Sequence, residues 1–276
     1  MTKLSIITVN LNDAEGLQKT LDSVWNRQTY SDMEQIVIDG ASSDGSVEVI
    51  KKYSDKLAYW TSEPDSGIYN AMNKGIAKAK GDYLLFLNSG DWLEDDIIAK
   101  IFPCRTHEDI IYADYNNITD GGKKERVKMP DEITLPWLLL HSLGHPSTFI
   151  KREIISGKGY REEYRIISDW AFWIEELIKN GRSSRHIDMA ATNYNLQGIS
   201  AQKENQKKIT AEKERFLSET FGARYDMARV WRSINAIDII SKRRPELLLS
   251  SEKLQRKLRQ YFKLLIKFTA ARQPQR

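Results

Sequence analysis

Four short apolar runs alternate with three amphipathic segments in the first 90 residues, and this alternation restricts the fold more than any other feature of the chain. "LSIITV" (4–9) reads as a buried strand, and "NLNDAEGLQKTLDSVWNRQ" follows with Leu17, Leu21, Val24 and Trp25 at helical spacing. "EQIVIDG" (34–40) is a second strand, "VEVIKKY" (47–53) a helix and "LAYWTSE" (57–63) a third strand. "SGIYNAMNKGIAKAKG" (66–81) is then a helix ending at Gly81, and "YLLFLN" (83–88) a fourth strand. Such a β-α-β order predicts an α/β fold: a mostly parallel central sheet flanked by helices. In open sheets of this kind a ligand sits beyond the carboxyl ends of the strands. The residues directly after each apolar run therefore share one rim: Thr8 and Asn10, then Asp39 and Gly40, then Glu63 and Asp65, then Asn88 to Asp91. Each is also an ordinary turn or capping residue, so the grouping carries more weight than any single member.

Beyond the fourth strand the pattern loosens. "DIIYADYNNI" (109–118) and "KKERVKM" (123–129) suggest strands around the turn "TDGG", "LPWLLLHS" (135–142) a short helix, "SDWAFWIEELIKNG" (168–181) a longer one, and residues 203–234 a charged helical region. With 41% hydrophobic and 29% charged residues the chain has the composition of a soluble globular protein. No window approaches the roughly 20 apolar residues of a membrane-spanning helix, and no secretory leader is readable, so a cytoplasmic location is expected. The single cysteine, Cys104, can form no internal disulfide and is expected as a small apolar filler.

The chemistry is narrowed by what the rim lacks. There is no G-x-G-x-x-G after the first strand and no G-x-x-x-x-G-K-S/T, which removes the main support for a dinucleotide oxidoreductase or a P-loop phosphotransferase. Carboxylates remain, and an acidic side chain can serve a nucleotide diphosphate only through an intervening hard cation. "DYLLFLNSGDWL" (82–93) is suited to holding one, because its apolar strand gives way to a polar hook in which Gly90 allows close backbone approach and Asp91 offers one carboxylate.

The segments "SIITVNLN", "IVIDGASSDGS", "EPDSGIYNAMNKGIAKAKGDYLLFLNSGDWL", "HPSTFI" and "ISDWAFWIEEL" together resemble glycosyltransferase family 2, enzymes of the GT-A fold that use nucleotide sugars, and especially its bacterial polysaccharide branch. The resemblance covers about residues 3 to 200. It implies that Thr8 and Asn10 line the nucleotide pocket and that Asp39 accepts hydrogen bonds from the base, typically uracil, or from the ribose. It places Asp65 and Lys74 in a segment that closes over the donor, and Asp91 at the last acidic position of a D-x-D type motif binding Mn or Mg. Asn88 and Gly90 stand where many relatives carry acidic residues; Asn88 can still bond a ribose hydroxyl, with Ser89 beside it, but one protein carboxylate is left for the metal. Asp169 matches the base that deprotonates the acceptor hydroxyl in an inverting transfer, although a carboxylate in a helix's first turn is also favoured by the dipole. His145 falls where the branch often carries His, within reach of pyrophosphate, metal or acceptor. "QGIS" (197–200) resembles the family's Gly-Ile-Ser ending, and the Q-x-x-R-W box of processive synthases is missing, which suggests single addition. Trp137, Trp170 and Trp173 are candidates for stacking on acceptor sugars, with core packing expected for at least two of them.

Charge divides the chain in two. Residues 242–276 hold eleven Lys and Arg against Glu246 and Glu252, a local excess of nine positive charges, which leaves −5 on the remainder of a chain whose net charge is +4. Leu254, Leu258, Tyr261, Phe262, Leu265 and Phe268 recur at helical spacing among these cations, the pattern of a basic amphipathic helix, which either rests on a membrane surface or packs on the catalytic domain with its charges solvated. No nucleic-acid recognition module accompanies the charge, so nucleic acid is not expected as a partner. The expected organisation is a GT-A catalytic domain over 1–202 and a helical, basic extension over 203–276. The expected activity is inverting, metal-dependent transfer from a nucleotide sugar, with a UDP-sugar foremost, to a saccharide or lipid-linked acceptor at the inner face of the membrane. A sugar-phosphate nucleotidyltransferase and a non-catalytic nucleotide-sugar-binding scaffold are the rival readings.

Overall fold

The computed structural model describes residues 3–104, 106–119, 121–195, 203–222 and 226–243. It opens with the expected alternation: β1 (Leu4–Asn10), α1 (Ala14–Trp25), β2 (Met33–Asp39), α2 (Ser46–Lys52), β3 (Tyr59–Ser62), α3 (Ile68–Lys78) and β4 (Tyr83–Phe86). Every residue of β1 and β4 is buried, as parallel strands sandwiched between helices require. Leu4, Ile6, Ile7, Leu84, Leu85 and Phe86 are wholly inaccessible, and each such side chain contributes about 1.5–3 kcal/mol by leaving water. Gly75 lets α3 lie close against β1, because a Cβ there would fall 2.4 Å from Ile7 Cγ2.

The chain continues through β5 (Trp92–Leu93), α4 (Ile97–Ile101), β6 (Ile110–Ile118), β7 (Lys124–Val127), α5 (Leu135–Leu140), a 3₁₀ turn (His145–Ser147), β8 (Thr148–Lys151), α6 (Arg152–Ile155), α7 (Ser168–Trp173) and β9 (Ser184–Asn195). The nine-stranded sheet has the order β3-β2-β1-β4-β8-β6-β9-β5, with β7 on β6. β1 to β4 pair in parallel, β8 runs antiparallel to both β4 and β6, and β9 runs parallel to β6, so the sheet is mixed. These directions decide the rim. The carboxyl ends of β1, β2, β3, β4 and β9 come to one edge, and the antiparallel β8 brings its opposite end, with His145–Ser147, to the same edge. The helix expected over 168–181 widens after Trp173 into a π-helical stretch, Ile174–Lys179, rather than continuing as regular α-helix. No element is expected from the sequence over Ser184–Asn195, where the long strand β9 forms.

Two compact units arise. Met1–Glu132 with Leu143–Gln206 forms the sheet-bearing unit, and Ile133–Ser142 joins the chain from Lys207 onward in the second. In this division α5 groups with the C-terminal helices. In that second unit the charged helical region expected over 203–234 takes the form of two helices, α8 (Gln206–Phe221) and α9 (Met227–Arg243). Leu138, Leu139, Phe216, Leu217, Met227, Val230 and Trp231 are buried there, and Trp231 Nε1 donates to the Leu139 carbonyl at 2.8 Å. Trp170 and Trp173 belong to the core of the first unit, as packing predicted. Cys104 is exposed and fills no core space, in contrast to the expectation from its residue type. The predicted basic helix from Leu254 and the "QGIS" segment lie outside the described residues. Among the described residues no helix is long and apolar enough to cross a membrane.

Candidate active site

A cavity of about 560 Å³ opens at the rim, within the size range of small-ligand sites. Six segments line it: Val9–Asp13 at the end of β1 and beyond, Asp65 and the first turns of α3, Asn88, Ser89 and Asp91 after β4, His145–Pro146 before β8, Arg165, Ile166 and Asp169 at α7, and Tyr194–Asn195 at the end of β9. Asn10, Asp65, Asn88, Ser89, Asp91, His145 and Asp169 are therefore brought together as anticipated. Thr8, Asp39 and Lys74 are not among the lining residues.

Each of those three has a local explanation. Thr8 is fully buried and its Oγ1 accepts from Gln35 Nε2 at 3.0 Å. Lys74 reaches back to Glu63 at 2.8 Å and to the Pro64 carbonyl at 3.2 Å, tying α3 to the segment before it. Asp39 stands beneath the rim as part of its scaffold. The register aligns Asn10, Asp39 and Ser62 across β1, β2 and β3, and Asp39 accepts from Asn10 Nδ2 (2.7 Å), Ser42 Oγ (2.6 Å), Ser42 N (2.9 Å) and Ser62 Oγ (2.6 Å). Burial pushes this carboxyl up, but the donors outweigh burial and hold it below its ordinary value.

The hook after β4 is fastened from α1. Thr20, fully buried, donates within reach of the Asp91 carbonyl (2.7 Å) and the Gly16 carbonyl (2.9 Å), and its oxygen accepts from Gly90 N at 3.1 Å. Ser23 Oγ accepts from Leu93 N at 3.1 Å. Gly90 turns the chain at φ +88°, and a Cβ there would lie 3.1 Å from Asn195 Nδ2 and 3.2 Å from Asp13 Oδ2. Asp91 is only 4% exposed yet lines the cavity. One of its oxygens accepts from Asn195 N at 2.9 Å. Burial raises its pKa to about 8; the Asn195 donor opposes this and the nearby Asp13 charge adds to it. A divalent cation would reverse that balance, and the oxygen donors available suit a hard ion. Asn88 Oδ1 and Asn10 Oδ1 are buried with no hydrogen-bond partner, and both residues line the cavity. Among the described residues no three His, Cys, Asp or Glu side chains come together to hold a metal, so Asp91 could hold one only with a ligand's oxygens completing the shell.

Asp169 occupies the first turn of α7 and lines the same cavity. Its Oδ1 accepts from Tyr69 Oη at 2.8 Å. His145 contacts Phe86, Tyr160 and Trp173, with ring centroids 4.9, 5.5 and 6.0 Å away, and its Nε2 meets Tyr160 Oη at 2.8 Å. Desolvation lowers its pKa, opposed by the Asp169 charge, so the imidazole is neutral near pH 7. Tyr69, Asp13, Arg165, Tyr194 and Asn195 are cavity residues that pattern reading did not single out. Asn195 lies on the unanticipated β9. Tyr69 sits inside the segment "SGIYNAMNKG", but an apolar-periodic tyrosine reads as core.

The family model of glycosyl transferase family 2 matches residues 5–153. A "PGL/p-HBAD biosynthesis glycosyltransferase" of Mycobacterium bovis (strain BCG / Pasteur 1173P2) is 30% identical over 203 residues, 69% of this chain and 76% of the relative. An uncharacterized glycosyltransferase of Mycobacterium tuberculosis (strain ATCC 25618 / H37Rv) is 46% identical over 98 residues, but that match spans only 35% of this chain and 37% of the relative. Among solved structures, Staphylococcus aureus TarS 1-349 in complex with UDP superposes with a TM-score of 0.63 at 18% identity, covering 96% of this chain and 80% of that one. The mannosyltransferase PcManGT of Pyrobaculum calidifontis, in complex with GDP-Man and Mn2+, gives 0.59 at 13% identity over 80% and 64% of the two chains. The structures support the GT-A fold, and the extent of the family match decides the rest: the chain belongs to glycosyltransferase family 2.

Proposed function

We propose that this glycosyltransferase moves a sugar, with inversion, from a nucleotide-diphosphate sugar to a hydroxyl of a saccharide or lipid-linked acceptor. The observation that carries the reading is the meeting of Asp91 and Asp169 in one cavity at the sheet's carboxyl edge. Asn10, Asp65 and Asn88 receive the nucleoside portion, above a floor that Asp39 fixes through Asn10, Ser42 and Ser62. Asp91, assisted by Asn88 Oδ1, would hold Mn or Mg. Such an ion supplies positive charge against the pyrophosphate of the departing nucleotide. Asp169 takes the proton of the acceptor hydroxyl as its oxygen attacks the anomeric carbon from the face opposite the leaving group, so the O–H bond breaks as the glycosidic bond forms. UDP-sugars are the preferred donor class, supported by the UDP complex of TarS.

The test is release of UDP from a panel of UDP-sugars with Mn, comparing the unaltered enzyme with Asp169→Asn and Asp91→Asn. Both variants should lose at least a hundredfold in turnover, of the order expected for removing a proton-transfer group or a principal electrostatic one. Nucleotide-sugar binding without turnover in the unaltered protein would instead support a scaffold. The eleven cations of residues 242–276 support a cytoplasmic enzyme resting on an anionic leaflet, where a lipid-linked acceptor would lie. Removing those residues should abolish sedimentation with phosphatidylglycerol vesicles, and unchanged sedimentation would overturn the membrane assignment.

A further inference from the structure

Helix α3 grips the segment that delivers Asp169. Asn73 accepts from Tyr160 N at 2.7 Å and donates to the Tyr160 carbonyl at 2.9 Å, while Asn70 Nδ2 and Asn73 Nδ2 donate to the two oxygens of Glu162 at 3.0 and 2.9 Å. At the head of this clasp Tyr69, 6% exposed, points its hydroxyl at two acceptors at once: Asp169 Oδ1 at 2.8 Å and the Ile166 carbonyl at 2.8 Å. A phenol carries one proton and can satisfy only one of them at a time.

We infer that Tyr69 is a positioning residue for the proposed base, holding Asp169 while it is an anion and releasing it once it has accepted a proton. This inference rests on the reading of Asp169 given above. A hydrogen bond to a carboxylate is roughly twice as strong as one to a neutral acceptor, so before transfer the Tyr69 proton lies toward Oδ1 and fixes the carboxylate's orientation. When the acceptor's proton arrives on Oδ2, Oδ1 becomes the weaker carbonyl of an acid, and the Tyr69 proton turns to the Ile166 amide oxygen. No proton is gained or lost by the phenol, and no buried O–H is left unpaired at either stage. Burial, and the Asp169 charge after it, push the Tyr69 hydroxyl well above its ordinary range, so it serves as a donor throughout and never as the base itself. The other ionisable groups facing Asp169 are Tyr160 and His145, with Asp13, Asp65, Asp91, Arg165 and Tyr194 around the same cavity.

The experiment is UDP release from the best UDP-sugar of the panel, with Mn and water as acceptor, followed from pH 5 to 9 in the unaltered protein, Tyr69→Phe and Asp169→Asn. For Tyr69→Phe we expect kcat to fall at least tenfold, KM and the UDP Kd to stay within twofold, and the acid limb of the rate profile to move to higher pH. Replacing Tyr69 with 3-fluorotyrosine keeps the ring's shape and strengthens the donor, and it should move the acid limb the other way; this version decides the matter if the phenylalanine variant fails to fold. Unchanged kcat and an unmoved acid limb in both variants, with Asp169→Asn inactive, would overturn the role of Tyr69 and leave the base in place. An active Asp169→Asn would overturn the base, and the role of Tyr69 with it.

Discussion

Asp39 and Asp91 stand at the same edge of the sheet, after strands that both flank β1, and both are at most 4% exposed, yet their surroundings treat charge in opposite ways. Four donors converge on Asp39 and keep it ionised. One backbone donor reaches Asp91, a second carboxylate stands near it, and its pKa rises to about 8. Both are inaccessible to solvent, but Asp91 is the more heavily desolvated and has one donor and a neighbouring carboxylate, where Asp39 has four donors. A carboxylate already saturated by the chain has nothing left for a ligand and acts as framework. One left under-coordinated beside a cavity is poised to gain its missing positive charge from outside.

The comparison can be broken first at Asp91. With Asn in its place, turnover of a UDP-sugar should fall on the order of a hundredfold to a thousandfold, and the rise in Tm expected from Mn and UDP together in the unaltered protein should be absent. Persistence of that rise in Asp91→Asn, by scanning fluorimetry, would remove the contrast between framework and ligand-seeking carboxylates.

Asp39→Asn attacks the other member. The amide offers one acceptor where two were used and points an N–H at donors from Ser42 and Ser62, so stability should fall by about 2–4 kcal/mol in urea unfolding at pH 7. The pH dependence has a definite sign. Asp39 is held below its ordinary value of 3.8, so its contribution is present above that pH and is lost as pH falls through its own lower value. The stability gap between the two proteins should therefore narrow on acidification below about pH 4. Asp91 acts in the opposite sense, since a carboxyl raised to about 8 in the folded chain costs stability as pH rises from 3.8 toward 8, and it cancels from the gap because both proteins carry it.

Two smaller changes sharpen the account of the hook. Thr20→Val removes the hydroxyl shared by Gly90 N and the Asp91 carbonyl and should cost about 1–3 kcal/mol, with a weaker response to Mn. Gly90→Ala puts a side chain at φ +88°, against Asn195 and Asp13, and should cost about 1–2 kcal/mol with a similar loss of metal response. If either variant lowers stability but leaves the Mn response intact, the hook's shape does not govern Asp91.

The parts legible in the sequence are those with a local signal. Strands β1, β2 and β4 were readable because both faces of each are buried, so their apolar residues run together, while the half-buried β3 was legible from its aromatic and β-branched residues, and the intervening helices show their apolar stripe. The rim residues Asn10, Asp65, Asn88, Ser89 and Asp91 followed from position alone, at the ends of those strands. Strand β9 was not legible, since its mostly half-buried residues mix Arg185, His186 and Asp188 with small side chains and show neither alternation nor a run. Asn195, which it carries to Asp91, was hidden with it. The π-helical stretch after Trp173 was hidden too, because "IEEL" satisfies α-helical periodicity equally well.

By itself the sequence determined which elements form at the N-terminal half, where the chain leaves the sheet, and which carboxylates stand at those exits, since burial pattern and turn chemistry act over a few residues. Tertiary structure alone decided that Asp39 is enclosed while Asp91 faces the cavity, and that Tyr69, a hundred residues away in sequence, meets Asp169. A carboxyl's character depends on how many donors and charges surround it, and those arrive from β9, α1 and α3, segments whose approach no local pattern encodes.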